Sequence, residues 1–380
     1  MEPFSLNPVP AIRFGAGVAR ALAGHLTGIP SPRVVIVADR ALADLGILSP
    51  ITGALKDAGL TIATYSDVAG DPKERQIDEV TALIRAEPTG AVVCIGGGSA
   101  LDIGKPAAAI AAAEGRAADY ALAANPFPAR TARMICIPTT AGTGSELSAT
   151  AIFSNAAGKK LWFWGQEIKP DLVLLDPELT VSLPPNLTAW TGCDAFTHAL
   201  EASTNRNRTP GNDFYAHKAL SLITGALEQA VADGSDLDAR GAMLLGSAYA
   251  GIAIDNCGTA VAHNISHALA GLAPVHHGLA TLIGLEECLA WCVAVDTGPF
   301  DAAARACGWA SANELPDRYS EWLDRCGIHR RLPEVFAGID ATTLATEMRR
   351  EENAPMRAAT ARDVTDGDID MLAARVIARV

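Results

Sequence analysis

The stretch CIGGGSALDIGKP, residues 94–106, links a buried strand-like run to a helical pattern through three successive glycines. Glycine allows a sharp turn and a close approach of the backbone to a ligand, and the N–H groups that open a helix favour an anion. Gly97, Gly98 and Ser99 are therefore candidates for binding a pyrophosphate. The pattern is not GxGxxG, so a simple turn after a strand is an equal alternative at this point.

Short β-branched runs alternate with helical patterns on both sides of this stretch. The strand-like runs lie at residues 33–39, 61–66, 90–96, 133–138 and 171–176, and the helical patterns lie at 48–60, 75–87 and 100–115. Alternation of strands with helices of this length predicts βαβ units and a mainly parallel sheet.

The pattern of the sequence changes after residue 183. Long Ala- and Leu-rich helical patterns, such as 212–232 and 238–254, replace the β-branched runs, and the Pro184-Pro185 pair is typical of a hinge. We therefore predict an α/β plus all-α protein, with an α/β domain at residues 1–183 and a helical domain at residues 184–380.

Composition excludes several classes of protein. The 380 residues are 49% hydrophobic and 19% charged, as in compact globular chains of about two domains. The net charge of −13 disfavours a nucleic-acid partner, and no apolar run is long enough for a membrane span. Because MEPFSLNPVPAIRFGAG lacks a signal-peptide pattern, we expect a cytoplasmic protein. The eight scattered cysteines contain no CxxC, which favours buried free thiols.

An acid and a hydroxyl-rich loop follow two other predicted strands. RVVIVAD ends in Asp39, and an acid at this point of a parallel strand accepts hydrogen bonds from ribose hydroxyls and repels a 2′-phosphate. IPTTAGTGSELS, residues 137–148, offers Thr139, Thr140, Thr143 and Ser145 to phosphate or nicotinamide groups. A solvated loop acid and capping of the next helix are the competing interpretations. The acid favours NAD over NADP.

Two later segments repeat a four-residue spacing of potential metal ligands. GCDAFTHALEAS, residues 192–203, contains Asp194 and His198, and AHNISHALAG contains His263 and His267. Residues four apart lie on one face of a helix, so each pair can project toward a shared centre. Taken alone, the first pair is more typical of a helix surface than of a metal site.

Histidine clustering strengthens the case for a metal site. Four of the eight histidines fall within residues 263–277, and the last two are His276 and His277. Such clustering in an apolar segment favours a site over isolated core histidines. A carboxylate with imidazoles and no thiolate suits Fe(II) or Zn(II), and the segment lacks the glutamate of HExxH peptidases.

Five separated motifs together resemble one family. GGGSALD, IPTTAGTGSE, GCDAFTHALEA, AHNISHALAG and VHHG are similar, in order and spacing, to the signatures of the iron-containing (group III) alcohol dehydrogenases. The resemblance runs from Asp39 to about Gly278. It implies a dehydroquinate synthase-like two-domain architecture, with an N-terminal Rossmann-like dinucleotide-binding domain and a C-terminal helical metal-binding domain.

The resemblance also implies roles for individual residues. The metal ligands it implies are Asp194, His198, His263 and His277. It implies that His267, near the nicotinamide, either supports a ligand or relays a proton, and that His276 points elsewhere. The cofactor residues it implies are Asp39 for the adenosine ribose, Gly97, Gly98 and Ser99 for the pyrophosphate, Thr139, Thr140 and Thr143 around phosphate and nicotinamide, and Lys160. The neighbouring Lys159 leaves the last assignment open.

The function implied by this resemblance is hydride transfer between NAD(H) and a small alcohol or aldehyde. One divalent metal ion would assist, with Fe(II) favoured over Zn(II). The resemblance also implies a homodimer or a larger homo-oligomer. Glycerol dehydrogenase-like and maleylacetate reductase-like oxidoreductases are alternatives. A dehydroquinate synthase-like lyase needs a basic cluster that the histidine segments lack, and a catalytically inactive metal- and nucleotide-binding protein is the non-enzymatic alternative.

The chain departs from the family pattern at three places, which leave the substrate open. Ala268-Leu269-Ala270 stands where Pro-Leu-Gly is usual, and Trp162-Phe163-Trp164 replaces smaller aliphatics, with packing between the domains as the favoured use. The C-terminal segment matches loosely, and its Arg357 or Arg362 is a candidate partner for an anionic substrate group.

Overall fold

The structure is a computed structural model that describes residues 3–380. The chain forms two compact units. The first, an α/β unit, comprises residues 8–140 and 145–182, and the second, a helical unit, comprises residues 3–7, 141–144 and 183–380.

Eight strands lie in the α/β unit. They are β1 (Ala11–Phe14), β2 (Arg33–Ala38), β3 (Thr61–Tyr65), β4 (Ala91–Gly96), β5 (Arg133–Pro138), β6 (Thr150–Ser154), β7 (Lys160–Trp164) and β8 (Leu172–Leu175). Six of them form a parallel sheet in the order β1-β8-β5-β4-β2-β3, and β6 pairs with β7 as an antiparallel hairpin.

The central strands are buried on both faces. Every residue of β2 and β4 is buried, and alternate side chains enter two different hydrophobic clusters. Val35 and Val37 belong to one cluster, whereas Val34 and Ile36 belong to the other. Parallel strands covered on both sides are near-continuous apolar runs, which is why β-branched segments such as RVVIVA form them.

The described part of this unit also contains four α-helices, namely α1 (Arg40–Asp44), α2 (Ser49–Asp57), α3 (Glu74–Arg85) and α4 (Gly98–Ile110), and several short 3-10 helices. Strand β4 ends at Gly96 and helix α4 begins at Gly98, so the three successive glycines form the turn between them. Gly104 of α4 packs tightly on the sheet, because a Cβ there would lie 2.3 Å from the Cys94 Sγ.

Strand β1 and the β6–β7 hairpin are not among the strands predicted from the sequence. Strand β1 has only four residues, mostly exposed at the edge of the sheet, and therefore carries no buried apolar run. In the hairpin, Phe163 is fully buried and stacks on Phe153 with 4.3 Å between ring centroids. Phe163 thus packs within the core of the α/β unit, whereas Trp164 is exposed.

The helical unit contains ten α-helices. They are α5 (Pro185–Thr204), α6 (Pro210–Ala232), α7 (Leu237–Cys257), α8 (Val261–Leu272), α9 (His277–Val293), α10 (Thr297–Ala306), α11 (Leu315–Arg325), α12 (Ala341–Met348), α13 (Ala354–Ala359) and α14 (Asp366–Ile377). Helix α5 is buried on nearly every face from Thr188 onward and packs against α6, α7 and α9. A helix buried on nearly every face occupies the centre of its unit.

The observed architecture confirms the predicted fold class, a parallel Rossmann-like sheet followed by a largely helical region. All eight cysteines are buried and free of disulfides, as expected from their spacing. Within residues 3–380 no helix is both long and apolar enough to cross a membrane.

Candidate functional site

Three helices of the helical unit bring four ligand-type side chains together. Asp194 and His198 come from successive turns of α5, His263 from the first turn of α8, and His277 is the first residue of α9. One ligand atom from each of the four lies within 4.8 Å of the others. The Asp194 Oδ1 is 3.7 Å from the His263 Nε2 and 3.5 Å from the His277 Nε2. The four residues implied by the motif resemblance therefore converge in space.

A buried carboxylate orients His263. The Nδ1 of His263 lies 2.7 Å from the Glu201 Oε2, and both side chains are buried. Glu201 also accepts hydrogen bonds from the backbone N–H groups of Ala260 (2.7 Å) and Ala262 (2.8 Å). With Nδ1 engaged, the opposite nitrogen of His263, Nε2, faces Asp194.

Neutral oxygens orient the other two histidines. The His198 Nδ1 lies 3.3 Å from the carbonyl oxygen of Gly142, so Nδ1 must carry the proton of this bond. The His277 Nδ1 lies 3.0 Å from the Ser266 Oγ, which also receives a hydrogen bond from the Thr281 hydroxyl. Each imidazole thus has a partner at Nδ1, as is usual for histidines that ligate metals through Nε2.

The cluster contains polar atoms that the described protein does not satisfy. The Asp194 Oδ1 and the His263 Nε2 are buried and have no hydrogen-bond partner among residues 3–380. Burying unpaired polar atoms costs free energy, and a cation held among the four donors would remove that cost. One carboxylate and three imidazoles suit Fe(II) or Zn(II), so the residues present fit such an ion.

Burial and mutual attraction set the charges of the cluster. Burial raises the pKa of Asp194, but the imidazoles of His198 and His277 outweigh it and hold that pKa well below its usual range. Burial lowers the pKa of His198 to about 4 against the attraction of Asp194. For His263, burial is outweighed by the carboxylates of Glu201 and Asp194, which raise its pKa to about 9, so a cation bound at Nε2 would displace the proton from that nitrogen. Asp194 is therefore an ionised donor.

Two further histidines lie beside the cluster but outside it. His267 follows His263 by one turn of α8, and its ring centroid lies 5.9 Å from that of His277. His276 packs on the indole of Trp190 with 5.0 Å between ring centroids. The structure therefore separates His276 and His277, which are adjacent in sequence, into different environments.

In the α/β unit, Asp39 is tied to the glycine turn. The Asp39 Oδ2 accepts a hydrogen bond of 2.6 Å from the N–H of Gly97. Gly96 has φ +154°, and a Cβ at this position would lie 2.5 Å from the same oxygen. Burial raises the pKa of Asp39, and the hydrogen bond from Gly97 opposes that rise. The carboxylate can pack this closely only because the turn lacks side chains.

The predicted pyrophosphate residues gather at the carboxyl ends of β4 and β5. Gly98 and Ser99 open helix α4, and Gly97 precedes it. The Thr139 N–H donates to the carbonyl oxygen of Gly96 (2.9 Å), and the methyl group of Thr140 lies 3.3 Å from an ideal Cβ on Gly97. These residues form one loop cluster, whereas Thr143 belongs to segment 141–144 of the helical unit.

The structure gives three basic residues local partners. Lys160 begins β7 and forms an ion pair with Asp71, which also accepts a 2.9 Å hydrogen bond from the Ser154 hydroxyl. Arg357 donates to backbone carbonyl oxygens, and Arg362 donates to the carbonyl oxygen of Trp291 while its guanidinium lies 4.3 Å from the centroid of that indole ring. The predicted approach of Lys160 to a cofactor stays a prediction.

The side chains and the backbone oxygen that orient the ligands are not among the residues predicted from the sequence. Glu201 stands three residues after His198 in GCDAFTHALEAS, on the helix face that Asp194 and His198 share. This shared face is enough to predict that Glu201 lies beside the ligands. Gly142 and Ser266 carry no comparable local pattern, since their roles depend on how distant segments pack.

The chain thus combines a parallel α/β unit with a helical unit that holds a cluster of three histidines and one carboxylate. This combination indicates the class of two-domain proteins with a metal site in the helical domain. The chain belongs to the iron-containing alcohol dehydrogenase family. The model of the "Iron-containing alcohol dehydrogenase" family matches residues 9–177, and that of the "Fe-containing alcohol dehydrogenase family, C-terminal" matches residues 188–369. The family predicted from the motifs is thereby confirmed.

Proteins similar to this chain include two alcohol dehydrogenases and an aldehyde reductase. The NAD-dependent methanol dehydrogenase of Bacillus methanolicus is 34% identical over 300 residues, covering 79% of this chain and 78% of that protein. The long-chain-alcohol dehydrogenase 1 of Geobacillus thermodenitrificans is 32% identical over 347 residues, covering 89% and 87%. The structure of sulfoacetaldehyde reductase from Bifidobacterium kashiwanohense in complex with NAD+ has a TM-score of 0.88 at 26% identity over 97% of each chain.

Proposed function

We propose that this protein is a metal-dependent alcohol dehydrogenase that transfers hydride between NAD(H) and a small alcohol or aldehyde. The observation that carries the proposal is the convergence of four donor atoms within 4.8 Å, two of them buried and unpaired, in a chain of this family. The methanol dehydrogenase and the NAD+ complex of sulfoacetaldehyde reductase support the cofactor and the substrate class.

The metal would be held by Asp194, His198, His263 and His277. When bound, a divalent ion supplies a Lewis acid that polarises an alcohol or carbonyl oxygen. The chain contributes an ionised carboxylate and three imidazoles whose Nδ1 atoms are already engaged, so the donor atoms need little reorganisation. Iron is favoured by the family, and zinc suits the same donors.

Substrate access is favoured on the side of His277. The side chain of His277 is 34% exposed, whereas those of Asp194 and His263 are each 3% exposed. The donor cluster is therefore most exposed beside His277, where His267 also lies. This position makes His267 a candidate to carry the hydroxyl proton toward solvent.

NAD binding is assigned to the glycine turn of the α/β unit. Gly97, Gly98 and Ser99 would cradle the pyrophosphate at the start of α4, where backbone N–H groups and the helix dipole favour an anion. Thr139 and Thr140 would line the neighbouring loop. Asp39 would accept hydrogen bonds from the adenosine ribose, and its charge would disfavour the 2′-phosphate of NADP. NAD, when bound, supplies the hydride acceptor.

The proposal is tested by metal removal and readdition with a panel of alcohols. Protein stripped with a chelator should produce no NADH, and Fe(II) or Zn(II) should restore NADH production with at least one short alcohol. His263→Ala should lose metal and turnover but keep NAD binding, whereas the exposed His329 provides the control His329→Ala, which should behave like wild type. Full activity in stripped His263→Ala protein would overturn the proposal.

A further inference from the structure

Glu201 is a buried carboxylate without a basic partner. Its side chain is 6% exposed, and no lysine or arginine among residues 3–380 forms an ion pair with it. A buried charge is tolerated when hydrogen bonds to its oxygens replace the lost water. Three groups do so here, namely the N–H groups of Ala260 and Ala262 and the Nδ1 of His263.

Backbone hydrogen bonds fix this carboxylate independently of the histidine. The N–H of Ala262 holds Oε1 and that of Ala260 holds Oε2, at the start of helix α8. The positive end of the helix dipole also favours a negative charge there. Because both oxygens are held by backbone atoms, the plane of the carboxylate is set, and the Glu201 Oε2 directs its remaining lone pair at the His263 Nδ1.

We propose that Glu201 is a positioning residue that keeps the proton of His263 on Nδ1 and so presents the Nε2 lone pair beside Asp194. This role rests on the proposed metal-dependent function. The other two imidazoles are held by neutral oxygens, those of Gly142 and Ser266, whereas His263 has a charged acceptor. A charge-assisted hydrogen bond is the stronger and makes the ligand nitrogen more basic.

The substitution Glu201→Gln distinguishes a role in orienting His263 from a role in packing alone. Gln keeps the shape of the side chain but replaces one acceptor oxygen with an NH2 group. In one orientation the NH2 group faces the N–H of Ala262, donor against donor. In the other it faces Ala260 and the His263 Nδ1, which favours a proton on Nε2 and removes the lone pair from the ligand atom.

The test compares the metal affinity of wild type, Glu201→Gln and a control by chelator competition with Zn(II). The control is Glu286→Gln, since Glu286 is also a largely buried carboxylate of this unit but pairs with Arg330 and Ser320. We expect Glu201→Gln to bind zinc about 10–100-fold more weakly, while Glu286→Gln keeps wild-type affinity. NAD binding should be unchanged in both.

Equal zinc affinity in wild type and Glu201→Gln would overturn the role of Glu201 while leaving the proposed function intact. Failure of wild type itself to bind zinc or iron would instead overturn the proposed function. If Glu201→Gln does not fold, histidine ¹⁵N NMR of the zinc-loaded wild type decides the question. A proton on Nδ1 of His263 and zinc on Nε2 are expected, and the reverse pattern would contradict the proposal.

Discussion

The Asp39 carboxylate lies 2.6 Å from the backbone nitrogen of Gly97, so a single side chain supports the glycine turn and carries the charge assigned to nucleotide selection. Asp39→Asn keeps an acceptor oxygen for the Gly97 N–H but removes the charge. We expect the preference for NAD+ over NADP+ to fall about 10-fold or more in this variant, equivalent to about 1–2 kcal/mol.

Asp39→Ala provides the matched comparison, because it removes both the charge and the hydrogen bond to Gly97. We expect it to lose affinity for NAD+ as well as selectivity. The measurement is kcat/KM for both nucleotides in wild type and both variants. If Asp39→Asn retained the wild-type ratio, the charge of Asp39 would have no part in nucleotide selection.

Gly251 forms a close backbone contact that supports His198 indirectly. A Cβ on Gly251 would lie 2.7 Å from the carbonyl oxygen of Gly144, in the segment whose Gly142 accepts the hydrogen bond from His198. Gly251→Ala should therefore lower the free energy of unfolding by about 1–3 kcal/mol and weaken metal binding. Urea unfolding and chelator competition measure the two effects.

Gly225→Ala is the control for this helix substitution. Gly225 is exposed on α6, and nothing lies within 4 Å of an ideal Cβ there. The higher helix propensity of alanine should raise the free energy of unfolding by about 0.5–1 kcal/mol. Gly251→Ala and Gly225→Ala proteins of equal stability would show that the backbone contact of Gly251 is relaxed without cost.

We expect Glu146 to make the stability of the protein depend on pH. The side chain is buried, and its Oε1 has no hydrogen-bond partner among residues 3–380. Burial raises its pKa from 4.5 to about 7, while the neighbouring charges of Lys105 and Asp102 act in opposite directions. Between these two values the native state holds a proton that the unfolded state has released, so the free energy of unfolding falls as pH rises.

The variant Glu146→Gln should lack this slope. From about pH 5 to about pH 8, wild type should lose about 3 kcal/mol of unfolding free energy relative to the variant, and the difference should be constant above that range. Urea unfolding of both proteins at several pH values measures it, and other titrating groups cancel in the comparison. Parallel pH curves for the two proteins would mean that Glu146 is ionised in both states.

The elements that sequence analysis predicted are those whose local pattern matches their environment. Runs such as RVVIVA are apolar throughout, as strands covered on both faces must be, and the long helices carry their signal over many turns. Strand β1 is short and exposed, so its residues carry no such pattern. The ion pair of Lys160 with Asp71 joins positions 89 residues apart, for which no local signal exists.

Helix geometry predicts that Asp194 lies beside His198 and that His263 lies beside His267, whereas the choice of His263 and His277 as the other two donors rests on the family resemblance. Segment 141–144 is different, because contacts of Gly142 and Gly144 with distant helices decide that it belongs to the helical unit. The homo-oligomeric state and the cytoplasmic location stay predictions, because the contacts within a single chain determine neither of them.

His267 should affect turnover without affecting metal content. It lies outside the four donors, one helical turn from His263, with its ring centroid 5.9 Å from that of His277. If it carries the hydroxyl proton, His267→Ala should lower kcat by about 10²–10⁴-fold at unchanged metal affinity. Added imidazole should restore part of the activity, since the lost function is proton transfer. Measuring kcat and bound metal in the same preparation distinguishes the alternatives: loss of metal would make His267 a ligand, whereas an unchanged kcat would leave the proton to solvent alone.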